Sequence, residues 1–105
     1  MISGKDRSFL KGLSHSLQPL LQVGKNGLTE SFYTECDKIL ELHELVKIAV
    51  LDAADMKAKD VANTIAERLS ADFVSAVGKK LVIYRPSQTI HPKDRIHIPK
   101  WRKNE

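Results

Sequence analysis

The chain lacks most of the residues on which metal, disulfide and membrane chemistry depend. Its single cysteine, Cys36, excludes an internal disulfide and a cysteine-based metal site. No run of about 18 apolar residues is present, so we expect neither a membrane span nor a membrane partner. Residues 1–11 lack the apolar core of a signal peptide, which favours a cytoplasmic protein. The four histidines are scattered, with no spacing that places two on one helix face: His15, His43, His91 and His97.

Catalytic motifs are missing as well. The sequence contains no Ser-His-Asp or metal-ligand motif in a recognisable local context. It also has no Gly-x-x-x-x-Gly-Lys-Ser/Thr phosphate loop. Cys36 falls inside a helical pattern, which favours a buried structural thiol over a nucleophile. We therefore expect a protein that is not an enzyme, with no cofactor, no metal and no small-molecule substrate.

Charge is present but unevenly distributed along the 105 residues, a length that fits one domain. Basic residues prevail in residues 1–27 and 78–105, whereas residues 28–77 hold ten acidic and five basic residues. If both ends of the chain fold onto one side, they form a basic face that attracts a polyanion. The alternative is that the basic ends serve solubility alone.

Hydrophobic periodicity predicts the element order α-β-α-β-α-β-β. Helices are expected at residues 3–16, 29–43 and 57–70, with Ser3 and Thr29 as N-caps of the first two, and strands at residues 20–23, 45–51, 72–77 and 81–84. Two strand-helix-strand units imply right-handed crossovers between parallel neighbours, and Gly78 with Lys79 adds an antiparallel turn. The predicted fold class is α/β (α+β), a compact two-layer sandwich with a mixed four-stranded sheet.

Residues 87–105 are predicted to form a basic, Pro-containing C-terminal tail outside the domain of residues 1–86. The segment holds two of the four prolines and shows no periodicity, so we expect it to be extended or partly disordered. Trp101 lies there among basic residues, a composition that fits either nucleic-acid contact or a solvated tail.

The best candidate binding site is the glycine loop between the first strand and the second helix, with the sequence Val-Gly-Lys-Asn-Gly-Leu-Thr. Gly24 and Gly27 allow positive φ and let a ligand approach the backbone closely. The helix that follows directs its free N–H groups and the positive end of its dipole toward Lys25 and Asn26. This arrangement suits a phosphate. The alternative is a plain tight turn, because Asn-Gly is a common turn dipeptide.

Other residues strengthen or weaken this site. Lys79 and Lys80 make a second basic turn, and Tyr84 and Arg85 end the last strand. Tyr84 could stack on a base, or it could be a half-buried strand aromatic. Acidic residues at positions 30 and 35, early in the second helix, would weaken phosphate binding if they faced the loop.

Four segments carry a resemblance to a known family. They are Leu10-Lys11-Gly12-Leu13-Ser14-His15 leading to Pro19, Gln22 to Thr29, His43 to Lys47, and Gly78 to Pro86. In this order they resemble the CRM domain, named for chloroplast RNA splicing and ribosome maturation, in its bacterial stand-alone YhbY form. The resemblance covers most of residues 3–86 and leaves the C-terminal tail outside.

The resemblance implies an α/β domain related to the C-terminal domain of bacterial translation initiation factor three. It also implies binding to structured RNA, and for bacterial members an association with precursors of the large ribosomal subunit. The family's Gly-x-x-Gly loop, similar to the RNA-clamping loop of KH domains, maps onto residues 24–27.

The sequence thus predicts an RNA-binding protein whose partner is ribosomal RNA in a large-subunit precursor. The predicted contacts are Gly24, Lys25, Asn26 and Gly27 in the loop, Lys5, Lys11, Lys79 and Arg85 on phosphates, and Tyr84 stacking on a base. The alternative is a protein-interaction module in which the acidic second and third helices are the contact face.

Overall fold

The computed structural model describes residues 2–99, which form three helices and one four-stranded sheet. The helices are α1 (Gly4–Ser14), α2 (Glu30–His43) and α3 (Ala58–Leu69), and the strands are β1 (Leu21–Val23), β2 (Leu45–Val50), β3 (Asp72–Val77) and β4 (Lys80–Tyr84). Single 3-10 turns lie at Asp52–Ala54 and Pro92–Asp94. The predicted α+β class and element order are confirmed, and element boundaries differ from the prediction by at most two residues.

The first two helices begin at the predicted caps. Ser3 Oγ accepts a hydrogen bond from the Asp6 N–H at 3.1 Å, and the Asp6 carboxylate accepts one from the Ser3 N–H at 3.0 Å, which forms a capping box. Thr29 Oγ1 accepts from the Phe32 N–H at 3.0 Å. These bonds satisfy N–H groups at the start of each helix that have no partner inside the helix. The Thr29 cap therefore fixes the point where the glycine loop ends and α2 begins.

The sheet has the strand order β1-β2-β4-β3. Strands β1 and β2 are parallel, and β4 is antiparallel to both β2 and β3. Strands β2 and β3 therefore run in the same direction, as the strand-helix-strand pattern predicts, but they are not neighbours. The turn at Gly78, whose φ is +61°, returns β4 into the gap between them. The continuous apolar run of β4 suits this central position.

One face of the sheet packs against α2 and α3. Because side chains alternate along a strand, every second residue of β2 and β4 points to this face. The buried cluster contains Val23, Cys36, Leu40, Val46, Ile48, Val61, Ile65, Leu81 and Ile83. Burial raises the pKa of the Cys36 thiol to about 12. The prediction of a buried structural thiol is confirmed.

The opposite face of the sheet packs against α1. The fully buried Leu10 of α1 shares a cluster with Leu45, Val74, Val82 and Tyr84. Ile96 and Ile98 of the C-terminal segment pack against the same cluster. Helix α1 therefore adds a partial third layer to the two that were predicted. Periodicity defines the apolar stripe of a helix, but it does not tell which face of the sheet that stripe covers.

Two carboxylates attach the described part of the C-terminal segment, residues 87–99, to the domain. Glu44 is fully buried and accepts hydrogen bonds from the main-chain N–H groups of Ser87 and Ile96, each at 2.6 Å. Glu41 accepts from the Gln88 N–H and the Thr89 hydroxyl, both at 2.8 Å. These bonds give residues 87–99 a defined path, so the partial disorder that was one of the two predicted alternatives is not found there. The domain boundary at residue 86 stays a prediction, and Trp101 lies outside the described residues.

Candidate functional site

The glycine loop lies at the end of the sheet where β1 and β2 terminate. Two other connections meet it there. The Leu51 N–H donates to the Val23 carbonyl at 2.9 Å, and the Val50 N–H donates to the Lys79 carbonyl at 2.7 Å. Residues 24–29, 51–57 and 78–80 are therefore adjacent, and we call these three segments the loop end of the molecule. Lys25 and Lys79, which are 54 positions apart in the sequence, both belong to it.

The glycine loop is a tight turn with an exposed tip. The Gly27 N–H donates to the Gly24 carbonyl at 2.9 Å, which closes the turn and leaves Lys25 and Asn26 exposed. Gly27 has a φ of +69°, where a side chain would be strained. Leu28 packs against the core beside α2 and α3, so the base of the loop is fixed while its tip is free to contact a ligand.

Gly24 differs from Gly27 in what the fold requires. Its φ is not positive, and a Cβ atom placed on it would meet no atom within 4 Å. The fold itself does not need glycine at this position. The absence of a side chain instead leaves the backbone open to close approach from outside.

The loop borders a shallow depression whose other wall is the first turns of α2. The lining residues are Gln22, Gly24, Lys25, Asn26, Gly27, Thr29, Ser31, Phe32 and Glu35. They supply backbone amides, hydroxyl and amide groups and an ammonium, beside the positive end of the α2 dipole. Groups of this kind can bind the phosphate or sugar of a nucleic acid backbone.

The two acidic residues at the start of α2 have different surroundings. The Glu30 carboxylate accepts two hydrogen bonds from Arg68 Nη2 of α3, at 2.7 and 2.9 Å. The Arg68 guanidinium also lies 4.4 Å from the centre of the Tyr33 ring. Glu30 is thus paired with α3, whereas Glu35 lines the depression and opposes the binding of an anion there.

Lysines surround the turn at Gly78. Lys79 forms an ion pair with Asp52, but both side chains are more than half exposed, so the pair is weak and the ammonium can exchange to a phosphate. Lys57 and Lys59, at the start of α3, line a depression together with Lys79. These two lysines were not among the predicted contacts, because they lie within the acidic middle of the chain, residues 28–77.

Helix α1 places the two predicted lysines, Lys5 and Lys11, roughly 9 Å apart along its axis. Between them, Arg7 Nε donates to the Phe73 carbonyl at 3.0 Å, at the start of β3. Lys11 lies beside Val77, at the end of the same strand that reaches the loop end. The structure therefore brings Lys11 toward the loop end and leaves Lys5 nearer the other end of the sheet.

The prediction that Tyr84 stacks on a base is wrong for this structure. Its side chain is only 6% exposed and packs under α1, so no ring face is available. Burial, and secondarily the Glu44 carboxylate, raises the pKa of the phenol. The apolar run from Leu81 to Tyr84 indicates the burial of Tyr84, because strands buried on both faces have continuous and not alternating hydrophobicity.

The predicted phosphate contact of Arg85 is also contradicted. Its guanidinium donates to the Asp37 carboxylate at 2.8 Å and to the Leu69 carbonyl at 3.0 Å. It lies 3.5 Å from the Glu41 carboxylate, and the side chain is only 17% exposed. Arg85 therefore joins the end of β4 to the C-terminal turns of α2 and α3, at the end of the sheet opposite the glycine loop.

Neither a metal-binding group nor a membrane-spanning helix is found among the described residues. Within residues 2–99, no group of three or more His, Cys, Asp or Glu side chains could hold a metal ion. None of the helices in that range combines the length and the apolar composition that a membrane crossing requires. The site that the structure does assemble is a glycine turn with a free lysine and asparagine, placed before a capped helix and next to further lysines.

These features define a class of small α+β domains. In this class a glycine loop joins a strand of a mixed four-stranded sheet to a capped helix. The CRS1 / YhbY (CRM) domain family matches residues 2–85 of this chain. The chain belongs to this family, which confirms the resemblance carried by the four sequence segments.

Individual relatives cover nearly the whole chain. A Haemophilus influenzae protein named "RNA-binding protein" is 37% identical over 94% of this chain and 96% of its own length. "Probable RNA-binding protein YqeI" of Bacillus subtilis is 32% identical over 84% of this chain and 92% of its own. The solution structure of a hypothetical protein from Staphylococcus aureus superposes with a TM-score of 0.76, at 32% identity, over 94% of this chain and all of that one.

Proposed function

We propose that the protein binds RNA through the glycine loop and the neighbouring lysines of the loop end. We further propose that its target in the cytoplasm is ribosomal RNA in precursors of the large ribosomal subunit. One observation carries the proposal: Lys25 and Asn26 are exposed on a hydrogen-bonded turn between two glycines, directly before the N-terminus of α2. The names of the relatives support RNA as the partner.

In this mechanism the fold is a rigid platform and the loop makes the contact. The loop amides and the Lys25 ammonium bind a phosphate, and Asn26 bonds a sugar or base edge. Lys79 adds a phosphate contact from the adjacent turn, and Lys5 adds a peripheral one. Because such contacts release counterions, affinity falls as the salt concentration rises. RNA shape supplies the specificity, since the site offers few groups that could read bases.

The charges of α2 favour RNA over the alternative of a protein-interaction module. Glu30 and Asp37, two exposed acids of α2, are bonded to Arg68 and Arg85 of the same domain. Their charge is therefore partly neutralised before a basic partner approaches. Nuclease treatment of a cell extract separates the two hypotheses, because a protein-interaction module retains its partner after the RNA has been digested.

Replacing the loop tip tests the binding site directly. We expect Lys25→Ala/Asn26→Ala to weaken RNA binding roughly tenfold to thirtyfold, since two contacts worth about 1 kcal/mol each are lost. Melting temperature should not change, because both side chains are exposed. The matched control is Lys93→Ala/Asn63→Ala, which removes the same residue types from exposed positions elsewhere. Equal RNA affinity of the loop variant and the wild type would remove the loop from the mechanism.

Sedimentation tests the ribosomal target. The protein is mixed with cell extract and run through sucrose gradients at low and raised salt. We expect it to migrate with large-subunit particles at low salt and to dissociate as salt rises. A protein that stays at the top of the gradient at every salt concentration contradicts the ribosomal assignment, while RNA binding through the loop can still hold.

A further inference from the structure

A groove lies between the C-terminal half of α1 and the sheet face that α1 covers only in part. Near Leu10 the helix and sheet are in contact, but toward the loop end they leave a cleft. The cleft is lined by Lys11, Ser14 and His15 of α1, Lys47 of β2, Ser75 and Val77 of β3, and Lys80 and Val82 of β4. We call it the α1 groove.

Two of the three lysines in the α1 groove come from adjacent strands. Lys47 is paired with Val82, and Lys80 is paired with Ala49, in the register of β2 and β4. Lys47 and Lys80 are therefore diagonal neighbours on one sheet face, with Cα atoms about 7–8 Å apart. Lys11 approaches from the helix side, so ammonium groups stand on both walls of the groove.

These lysines have no counter-charge within the described chain. Among residues 2–99, no carboxylate lies within ion-pair distance of Lys11, Lys47 or Lys80, and no acidic residue lines the α1 groove. The ammonium groups of Lys47 and Lys80 repel each other across two adjacent strands and gain no ion pair in return, so this cluster does not serve the fold. Lys47 is moreover half-buried, which adds to its desolvation.

We infer that the α1 groove is a second binding site for the RNA backbone, an inference that rests on the proposed function. Lys11, Lys47 and Lys80 contact phosphates, and Val77, 65% exposed at the rim, offers an apolar surface to a sugar or base. Lys80 belongs to the loop end and also lines the groove, so the two sites share one hairpin. A single RNA passes from the glycine loop around this hairpin into the groove.

The salt dependence of RNA binding tests the α1 groove. Lys47→Gln/Lys80→Gln is compared with Lys38→Gln/Lys93→Gln, which lowers the net charge equally at exposed positions away from the groove. The probe is a fluorescein-labelled hairpin RNA with a single-stranded extension, titrated by anisotropy at several salt concentrations. We expect the slope of log K against log salt to become shallower by about 1.4 to 1.8 in the groove variant, or 0.7 to 0.9 per lost contact. The control slope should stay near that of the wild type.

The outcomes separate the groove from the proposed function. If the Lys25→Ala/Asn26→Ala variant loses affinity while the groove variant matches its control, the groove inference is wrong and the proposed function stands. If the wild type does not bind the RNA, both are wrong. Should Lys47→Gln lower the melting temperature, Lys11→Gln/Lys80→Gln takes its place, since both residues are exposed and the same change of slope is expected.

Discussion

The two ends of the sheet use basic residues in opposite ways. At the loop end Lys25, Lys79 and Lys80 are exposed, and the pair of Lys79 with Asp52 is the single ion pair formed by any lysine in residues 2–99. At the other end Arg85 and Arg95 are bound to a carboxylate cluster of Asp37, Glu41 and Glu44. The arginines hold elements of the fold together, whereas the lysines remain available to a partner.

This difference follows from the chemistry of the two side chains. The planar guanidinium of arginine donates several hydrogen bonds in a fixed geometry, which suits a permanent link to carboxylates and carbonyls. The ammonium of lysine is a mobile point charge that exchanges between partners. A count of basic residues in the sequence therefore overestimates the charge that an RNA meets.

The largest expected effect belongs to the carboxylate cluster. Glu44→Ala leaves the main-chain N–H groups of Ser87 and Ile96 without their acceptor, so we expect unfolding free energy to fall by about 3 kcal/mol. Glu44→Gln keeps one acceptor oxygen and should cost less. Urea unfolding measures both variants, with Lys25→Ala at the loop end as the control that leaves stability unchanged. Wild-type stability of Glu44→Ala would contradict the role given to this end of the sheet.

Acid should detach the C-terminal segment at a pH well below the range where a free glutamate titrates. Hydrogen bonds from the Gln88 N–H and from the Ser87 and Thr89 hydroxyls lower the pKa of Glu41 from 4.5 to about 2. Its stabilising contribution is therefore complete above pH 4.5 and is lost as the pH falls toward 2. NMR titration of the Gln88 and Thr89 amides measures this transition, which Glu41→Gln should abolish. A midpoint near 4.5 is the opposing result.

The two glycines of the loop should separate stability from binding. Gly27→Ala forces a side chain into positive φ and should cost about 1 kcal/mol of stability. Gly24→Ala should leave stability unchanged, because its Cβ meets open space, but it should weaken RNA binding by obstructing the approach of the backbone. Urea unfolding and RNA titration of both variants check this. Full RNA affinity of Gly24→Ala would show that no ligand comes close to that position.

The smallest expected effect is a gain. Glu35 faces the depression beside the glycine loop, so Glu35→Gln should raise RNA affinity. The expected gain is at most about fivefold, because the repulsion between two charges in water is about 1 kcal/mol. Glu67→Gln, an equal change on the exposed side of α3, should leave affinity unchanged. RNA titration at low salt is the suitable measurement, since screening reduces the effect. Equal gains in both variants would indicate a general charge effect instead.

Local features of the fold could be predicted from the sequence. The caps at Ser3 and Thr29, the hairpin at Gly78 and the stripe of α3 each depend on residues within a few positions of one another. Such short-range signals determine the types and boundaries of the elements. The sequence of the glycine loop is one of these signals. Its place between a strand and a capped helix is as predicted.

Long-range arrangement could not be predicted in the same way. Nothing local to β4 places it between β2 and β3, and nothing local to α1 places it on the sheet face away from α2. The roles of Glu41 and Glu44 depend on contacts with residues more than 40 positions away. For the same reason the sequence could not separate Arg85, which is held by the fold, from Lys47 and Lys80, which are not.

Mapping RNA contact by NMR tests the central claim most directly. The 15N-labelled protein is titrated with the hairpin RNA, and amide shift changes are assigned along residues 2–99. We expect changes at residues 24–29, 47, 75–80 and 11–15, with little change at residues 37–44 and 85–96. Changes concentrated around the carboxylate cluster, with the glycine loop unaffected, would contradict the assignment of binding to the lysines of the loop end.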